Sequence, residues 1–192
     1  MRLSLTPHPT SGPTPLHAIA ATVEHQAGPL EMRGGRAGGL EVLRKGGRLT
    51  IVYDLTGDMA RIRLPESRPA ERAEGLWTTT CLEAFIRAAD GTAYYEFNFS
   101  PSGRWAAYRF DSERKGMVDL EGYDPATRFE RTADGARLTA EIPLPADAVG
   151  PVGLSAVIED EARETTYWGL AHPSAKPDFH APGAFVLTLE PA

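Results

Sequence analysis

Residues 94–110, YYEFNFSPSGRWAAYRF, constrain the fold of this chain more than any other stretch. Two aromatic-rich runs flank Ser100-Pro101-Ser102-Gly103. Aromatic residues fit a pleated, half-buried surface. Pro and Gly supply the fixed and the left-handed backbone angles of a tight turn. The segment therefore reads as a β-hairpin. A four-residue turn over 100–103 sets Phe99 opposite Arg104, Asn98 opposite Trp105 and Glu96 opposite Ala107. Alternation of side chains then puts Tyr95, Phe97, Phe99, Ala106, Tyr108 and Phe110 on a core face. Tyr94, Glu96, Asn98, Trp105, Ala107 and Arg109 share the other, with Glu96 and Arg109 as diagonal neighbours.

The rest of the chain repeats this short-strand grammar. Residues 49–55 alternate cleanly, with Leu49, Ile51, Tyr53 and Leu55 on one face. Residues 82–87 are apolar on both faces yet carry Glu83, which marks a central strand whose carboxylate needs a partner or a ligand. Further strands are expected over 16–25, 30–33, 40–45, 60–64, 127–131, 137–142, 154–159, 165–171 and 184–189. Gly46-Gly47 and Asp134-Gly135 read as hairpin turns, GGRAGG at 34–39 as a flexible loop, and 143–149 as room for one helical turn. Residues 111–124 form the longest polar connection and the expected mobile loop. Ten to twelve short strands and no convincing long helix indicate an all-β, jelly-roll-like antiparallel β-sandwich. The expectation is one domain over 1–192, with residues 1–15 as an extended, Pro-rich lead-in.

Composition narrows the function classes. A net charge of −6 lacks the basic excess that drives nucleic-acid binding. No apolar run is long enough for a membrane-spanning helix, and no apolar signal segment follows Arg2. Cys81 is the single cysteine, so neither an intramolecular disulfide nor a Cys-based zinc site can form. A cytoplasmic protein is the expectation.

The outward hairpin face combines a large ring with a carboxylate, an amide and a guanidinium. That is the chemistry that holds a sugar: the ring covers C–H faces and the polar groups take hydroxyls. The competing account is an ordinary solvated sheet face with an Arg–Glu pair.

Leu76-Trp77, Leu82-Glu83-Ala84-Phe85-Ile86, residues 95–103, Glu141-Ile142-Pro143 and residues 179–189 resemble, in order and spacing, the DOMON-like superfamily. Within it the chain is most similar to the family 9 carbohydrate-binding modules. The resemblance spans about residue 76 to the end. It implies an antiparallel sandwich that binds sugars, or haem in some relatives, with aromatic rings clamping a terminal sugar and calcium stiffening loops. It implies that Trp105 and Trp168 supply rings, with Trp77 a third candidate, and that the His180 segment completes the pocket. Cys81-Leu82 stands where relatives often carry Asp, which removes the expected calcium or ligand role there. Without a signal, the chain is similar to cytoplasmic bacterial members.

Other groupings carry less. His172, Asp178 and His180 offer metal-ligand chemistry at a spacing that matches no standard zinc motif. Met59, Met117 and His172 are the residues available as haem ligands. Glu83, Glu96, Glu141 and Glu159 are the carboxylates available for glycoside hydrolysis. No nucleophile elbow, phosphate loop or dinucleotide fingerprint is present. The expectation is thus a non-enzymatic module for a carbohydrate or sugar-containing metabolite, with ligand contacts from Tyr94, Glu96, Asn98, Trp105, Arg109, Trp168, Trp77, Glu83 and His180. The alternatives are a haem-binding or redox module and a glycan-processing enzyme.

Overall fold

Alternating apolar residues give each strand one face to bury. In this computed structural model the chain arranges those faces as two packed layers. The structure describes residues 1–34, 40–44 and 46–189, with backbone alone for 30–34 and 40–44. The strands are β1 (Arg2–Pro7), β2 (Leu16–Gln26), β3 (Leu30–Gly34), β4 (Leu40–Arg44), β5 (Arg48–Gly57), β6 (Cys81–Arg87), β7 (Tyr94–Phe99), β8 (Trp105–Phe110), β9 (Val118–Asp119), β10 (Ala126–Thr132), β11 (Gly135–Pro143), β12 (Val152–Glu159) and β13 (Thr165–Gly169). Eleven of them form one curled sheet in the order β10-β11-β5-β2-β1-β13-β12-β6-β7-β8-β9. Every ladder in it is antiparallel. The fold is all-β and sandwich-like, as the strand pattern predicts.

β1 is where the sheet turns from one layer to the other. Arg2–Leu5 pair with β2, whereas Thr6 and Pro7 pair with β13. The N-terminal stretch read as a lead-in is thus, over Arg2–Pro7, a strand joining the layers. Between them lies one apolar core. Leu49, Ile51, Tyr53 and Leu55 of β5 meet Leu82, Ala84 and Ile86 of β6 and Phe97 and Phe99 of β7. The Tyr53 hydroxyl donates to the Glu83 carbonyl at 2.7 Å and so pins one layer to the other beside a site residue.

The hairpin register differs from the expected one. The loop takes Ser100 to Arg104, so Phe99 faces Trp105, Glu96 faces Tyr108 and Tyr94 faces Phe110. The two serines explain the extra residue. Ser100 Oγ accepts from the Ser102 N–H, and Ser102 Oγ accepts from the Arg104 N–H. These bonds hold Arg104 inside the turn, with Gly103 at φ 97°. A one-residue slip moves every side chain of a strand to the opposite face. Trp105 therefore belongs to the inter-layer core at 7% exposure, with the Arg72 guanidinium 4.9 Å from its ring centre. Tyr108 and Phe110 move to the face expected for Trp105 and Arg109. Arg109 faces Tyr95 across the ladder and pairs with Asp111, so its expected pairing with Glu96 does not form. Trp168 is also core, 3% exposed, its Nε1–H donating to Thr166.

Other elements depart locally. Residues 60–64 do not form a strand. Met59–Arg61 is a 3-10 turn capped by the Asp58 carboxylate, and Ile62 makes a single bridge to Asp160. Residues 184–189 likewise give way to a 3-10 turn at Pro182–Ala184 and one bridge from Leu187 to Val152. Pro182 and Gly183 suit a turn better than a ladder. Residues 143–149 contain turns rather than a helix. β4 pairs with β3, and β5 with β2 and β11, so Gly46-Gly47 is no hairpin turn. These glycines allow close backbone approach instead: a Cβ at Gly46 would lie 1.7 Å from the Leu144 carbonyl oxygen. Residues 35–39 of the expected glycine-rich loop, and Lys45, lie outside the described residues.

The placement of Trp105 is testable. Trp105→Ala is expected to cost about 3–5 kcal/mol in urea unfolding, the cost of a large core truncation. A solvent-exposed Trp would cost no more than ~0.5 kcal/mol.

Candidate functional site

The layer containing β13, β12, β6, β7 and β8 has a second face, turned away from the core. Register places Gly169, Ser155, Glu83, Asn98 and Ala106 side by side across it. The adjoining row is Gly153, Phe85, Glu96 and Tyr108. An uncovered sheet would leave these residues in water. Here the chain after β13 folds back across them, and Ala184 and Phe185 pack with Phe85, Tyr94, Ala106, Tyr108 and Phe110. β6 and β7 are consequently buried on both faces, and Glu83 and Glu96 are only 3% and 4% exposed.

The cover is incomplete, and a cavity of about 430 Å³ remains. From the sheet, Glu83, Glu96, Phe110, Val157 and Tyr167 line it; from the loops and the covering segment come Trp77, Arg114, Met117, Pro177, Phe179 and His180. Leu76–Thr78 is a 3-10 turn following Gly75, whose φ of 68° lets the chain reverse and present Trp77 edge-on to Tyr108. Arg114 sits in a tight turn between β8 and β9 at φ 55°. Its N–H donates to the Tyr94 hydroxyl, and its guanidinium donates to Asp178 of the covering segment at 2.7 Å. The connection expected to be a long loop therefore closes one side of the cavity.

The polar groups form one network. Ser155 donates to Glu83 Oε2 at 2.7 Å, and Asn98 Nδ2 donates to Glu96 Oε1 at 2.8 Å. Tyr94 and His180 Nδ1 are 2.7 Å apart. The Tyr94 oxygen accepts from the Arg114 N–H, and its bond to His180 Nδ1 runs in the direction the imidazole tautomer sets. His180 Nε2 faces Glu96 Oε2 at 3.7 Å, beyond hydrogen-bond length. Burial, with the nearby Arg114 charge, pushes the His180 pKa down to about 4, so the contact is not an ion pair at neutral pH. Glu96 Oε2 and Asn98 Oδ1 are buried acceptors without a hydrogen-bond partner.

Both carboxyl groups are held well above the ordinary carboxylate range. For Glu83 the causes are burial and then the charge of Glu96, opposed by the Ser155 hydrogen bond. For Glu96 the cause is burial, opposed by the Asn98 hydrogen bond and Arg114. Two neighbouring groups of this kind titrate as a pair, and the pair retains a proton at neutral pH.

Of the residues singled out from sequence, Trp77, Glu83, Glu96, Met117 and His180 line the cavity. Tyr94 and Asn98 stand directly behind them as hydrogen-bond supports. Trp105, Trp168 and Arg109 do not reach it, because register turns them to the other face. Tyr167, Phe110, Phe179 and Arg114 were not anticipated. The neighbour of Trp168 was the relevant aromatic, and only the pairing of Tyr167 with Val157 reveals that.

The expected metal ligands do not converge. His172 bonds the Thr6 carbonyl, Asp178 pairs with Arg114 and His180 bonds Tyr94. Among the described residues no group of three or more His, Cys, Asp or Glu could hold a metal ion. Of the residues available as haem ligands, Met59 is in the core, Met117 is at the cavity and His172 bonds the Thr6 carbonyl.

The raised carboxyl values make stability depend on pH. Unfolded, Glu83 ionises near 4.5, whereas folded it stays protonated to about 8. The unfolded state thus holds fewer protons across this window, and stability falls as pH rises through it. His180 has the opposite sign, losing stability as pH falls from 6.5 towards about 4. Glu83→Gln keeps an acceptor for Ser155 and cannot ionise. Urea titrations are expected to find it at least ~1 kcal/mol more stable than wild type at pH 8, with the two converging at pH 4.

Comparison with protein-family models and with curated proteins returns no match. Among solved structures the chain is similar to one from Bacteroides uniformis described as a "putative carbohydrate-binding protein". The two share 14% identity at a TM-score of 0.51, over 85% of this chain and 84% of the other. At that identity the likeness is one of fold.

Proposed function

We propose that this chain is a non-enzymatic carbohydrate-binding module whose ligand enters the cavity on the covered face. The observation that carries this reading is Glu96: a 4%-exposed carboxylate with one unpartnered oxygen, lining a cavity walled by aromatic rings. A buried acceptor without a donor is costly, and a ligand hydroxyl would satisfy it. Trp77 and Tyr167 offer flat apolar surface to the C–H faces of a sugar ring. The volume falls within the range of small-molecule sites and suits one or two sugar units. The fold likeness to the Bacteroides protein supports the same reading, as does the resemblance to family 9 carbohydrate-binding modules. The aromatic surface here would come from Trp77 and Tyr167 rather than from Trp105 and Trp168.

A second reading is a glycan-processing enzyme. The observation favouring it is the paired Glu83 and Glu96, one able to donate a proton and one to accept. It would show as turnover of aryl glycosides that disappears in Glu83→Gln.

The binding reading predicts that titration calorimetry against a panel of mono- and disaccharides finds a ligand. Trp77→Ala and Tyr167→Ala are each expected to weaken it ~10-fold or more, a loss of about 1.4 kcal/mol. Trp77 is 41% exposed, so its variant should melt with wild type. Absence of binding across the panel would refute the module.

A further inference from the structure

We infer that the cavity selects a ligand carrying a primary ammonium group, namely an amino sugar in its unacetylated form. This deepens the sugar-binding reading and rests on it. The argument begins with what the cavity lacks. Of its lining residues, Glu96 has a buried unpartnered acceptor, Oε2, and Asn98 Oδ1, on the residue that supports Glu96 from behind, is another. A hydroxyl brings one proton and two lone pairs, whereas an ammonium brings three protons and no acceptor.

Charge points the same way. Glu83 and Glu96 project from neighbouring strands on one face, since Glu83 lies opposite Asn98 and Glu96 is two residues before it. Among the described lining residues the one permanent cation is Arg114, and its guanidinium is already bonded to Asp178. The two buried carboxyl groups thus share their one nearby permanent cation with Asp178, and an ammonium between them supplies a counter-charge of their own. The walls agree: they carry the aromatic rings of Trp77, Tyr167, Phe110 and Phe179, and aromatic rings attract cations. A neutral sugar uses the rings but leaves the carboxyl pair uncompensated.

Because the pair retains a proton at neutral pH, an arriving ammonium displaces that proton to solvent. The charged and titratable groups around it are Glu83 on β6, Glu96 and Tyr94 on β7, Tyr108 on β8, Tyr167 on β13, Glu113 and Arg114 from the β8–β9 turn, and Asp178 and His180 from the covering segment. Cys81 lies on the same face of β6, its thiol pushed up by burial and by Glu83. Of these, only the carboxyl pair both lines the cavity and holds a proton that an ammonium would replace.

The test is titration calorimetry of the full chain at pH 7 with glucosamine, glucose, N-acetylglucosamine and cyclohexylamine, each in phosphate and in MOPS buffer. The expected result is glucosamine binding at least ~10-fold tighter than either neutral sugar, with a heat that differs between buffers by the release of roughly one proton. In Glu96→Gln the glucosamine-to-glucose affinity ratio should fall towards one. Neutral sugars binding as tightly as glucosamine would overturn the inference and leave the sugar reading standing. Cyclohexylamine binding while no sugar binds would uphold ammonium selection and overturn the sugar reading. No binding by any of the four would overturn both.

Discussion

The site exists because one layer of the sandwich is covered on both sides. The inner face of β6, β7 and β12 packs against the opposite layer, as in any sandwich. The outer face is covered in turn by the chain following β13, through Phe179, His180, Ala184 and Phe185. This second layer of packing takes Glu83 and Glu96 out of water, and burial is the largest cause of their raised pKa values. Removing the cover would turn the same residues into an ordinary polar sheet face. The chemistry of the cavity is therefore a consequence of the packing of an irregular C-terminal segment.

That cover is tied down by polar contacts as well as apolar ones. The Tyr94 hydroxyl accepts from the Arg114 N–H and is hydrogen-bonded to His180, while the Arg114 side chain reaches Asp178. Sheet, β8–β9 turn and covering segment meet at these few atoms. The exposed Arg114–Asp178 pair contributes little stability. Its value is positional, since it fixes where the cavity wall stands relative to the carboxyl pair. Tyr53 does a related job from beneath by bonding the Glu83 carbonyl.

Much of the architecture was legible because sheet periodicity is local. β5 shows its buried face directly in Leu49, Ile51, Tyr53 and Leu55, and β6 shows its burial on both faces in apolar residues of either parity around Glu83. The β10–β11 hairpin follows from Asp134-Gly135. The hairpin of β7 and β8 shows the limit. Ser-Pro-Ser-Gly announces a turn but does not count its residues, and the serine hydroxyls that draw Arg104 into it act through three-dimensional geometry. One residue of uncertainty exchanged Trp105 for Tyr108 and Phe110. The same parity problem favoured Trp168 over Tyr167, because adjacent residues on a strand always face opposite ways.

The amino-acid sequence by itself determined the all-β class, the central position of the strand bearing Glu83, and an outward place for Glu96 opposite the face of Tyr95, Phe97 and Phe99. Those follow from alternation, which each strand carries within itself. Tertiary structure alone decided which aromatic residues join Glu83 and Glu96 and that His180 approaches Glu96. It also decided that an N-terminal strand stitches the two layers together. Such contacts link residues far apart in the chain, and they depend on register and on a covering segment without periodicity. No local pattern encodes either one.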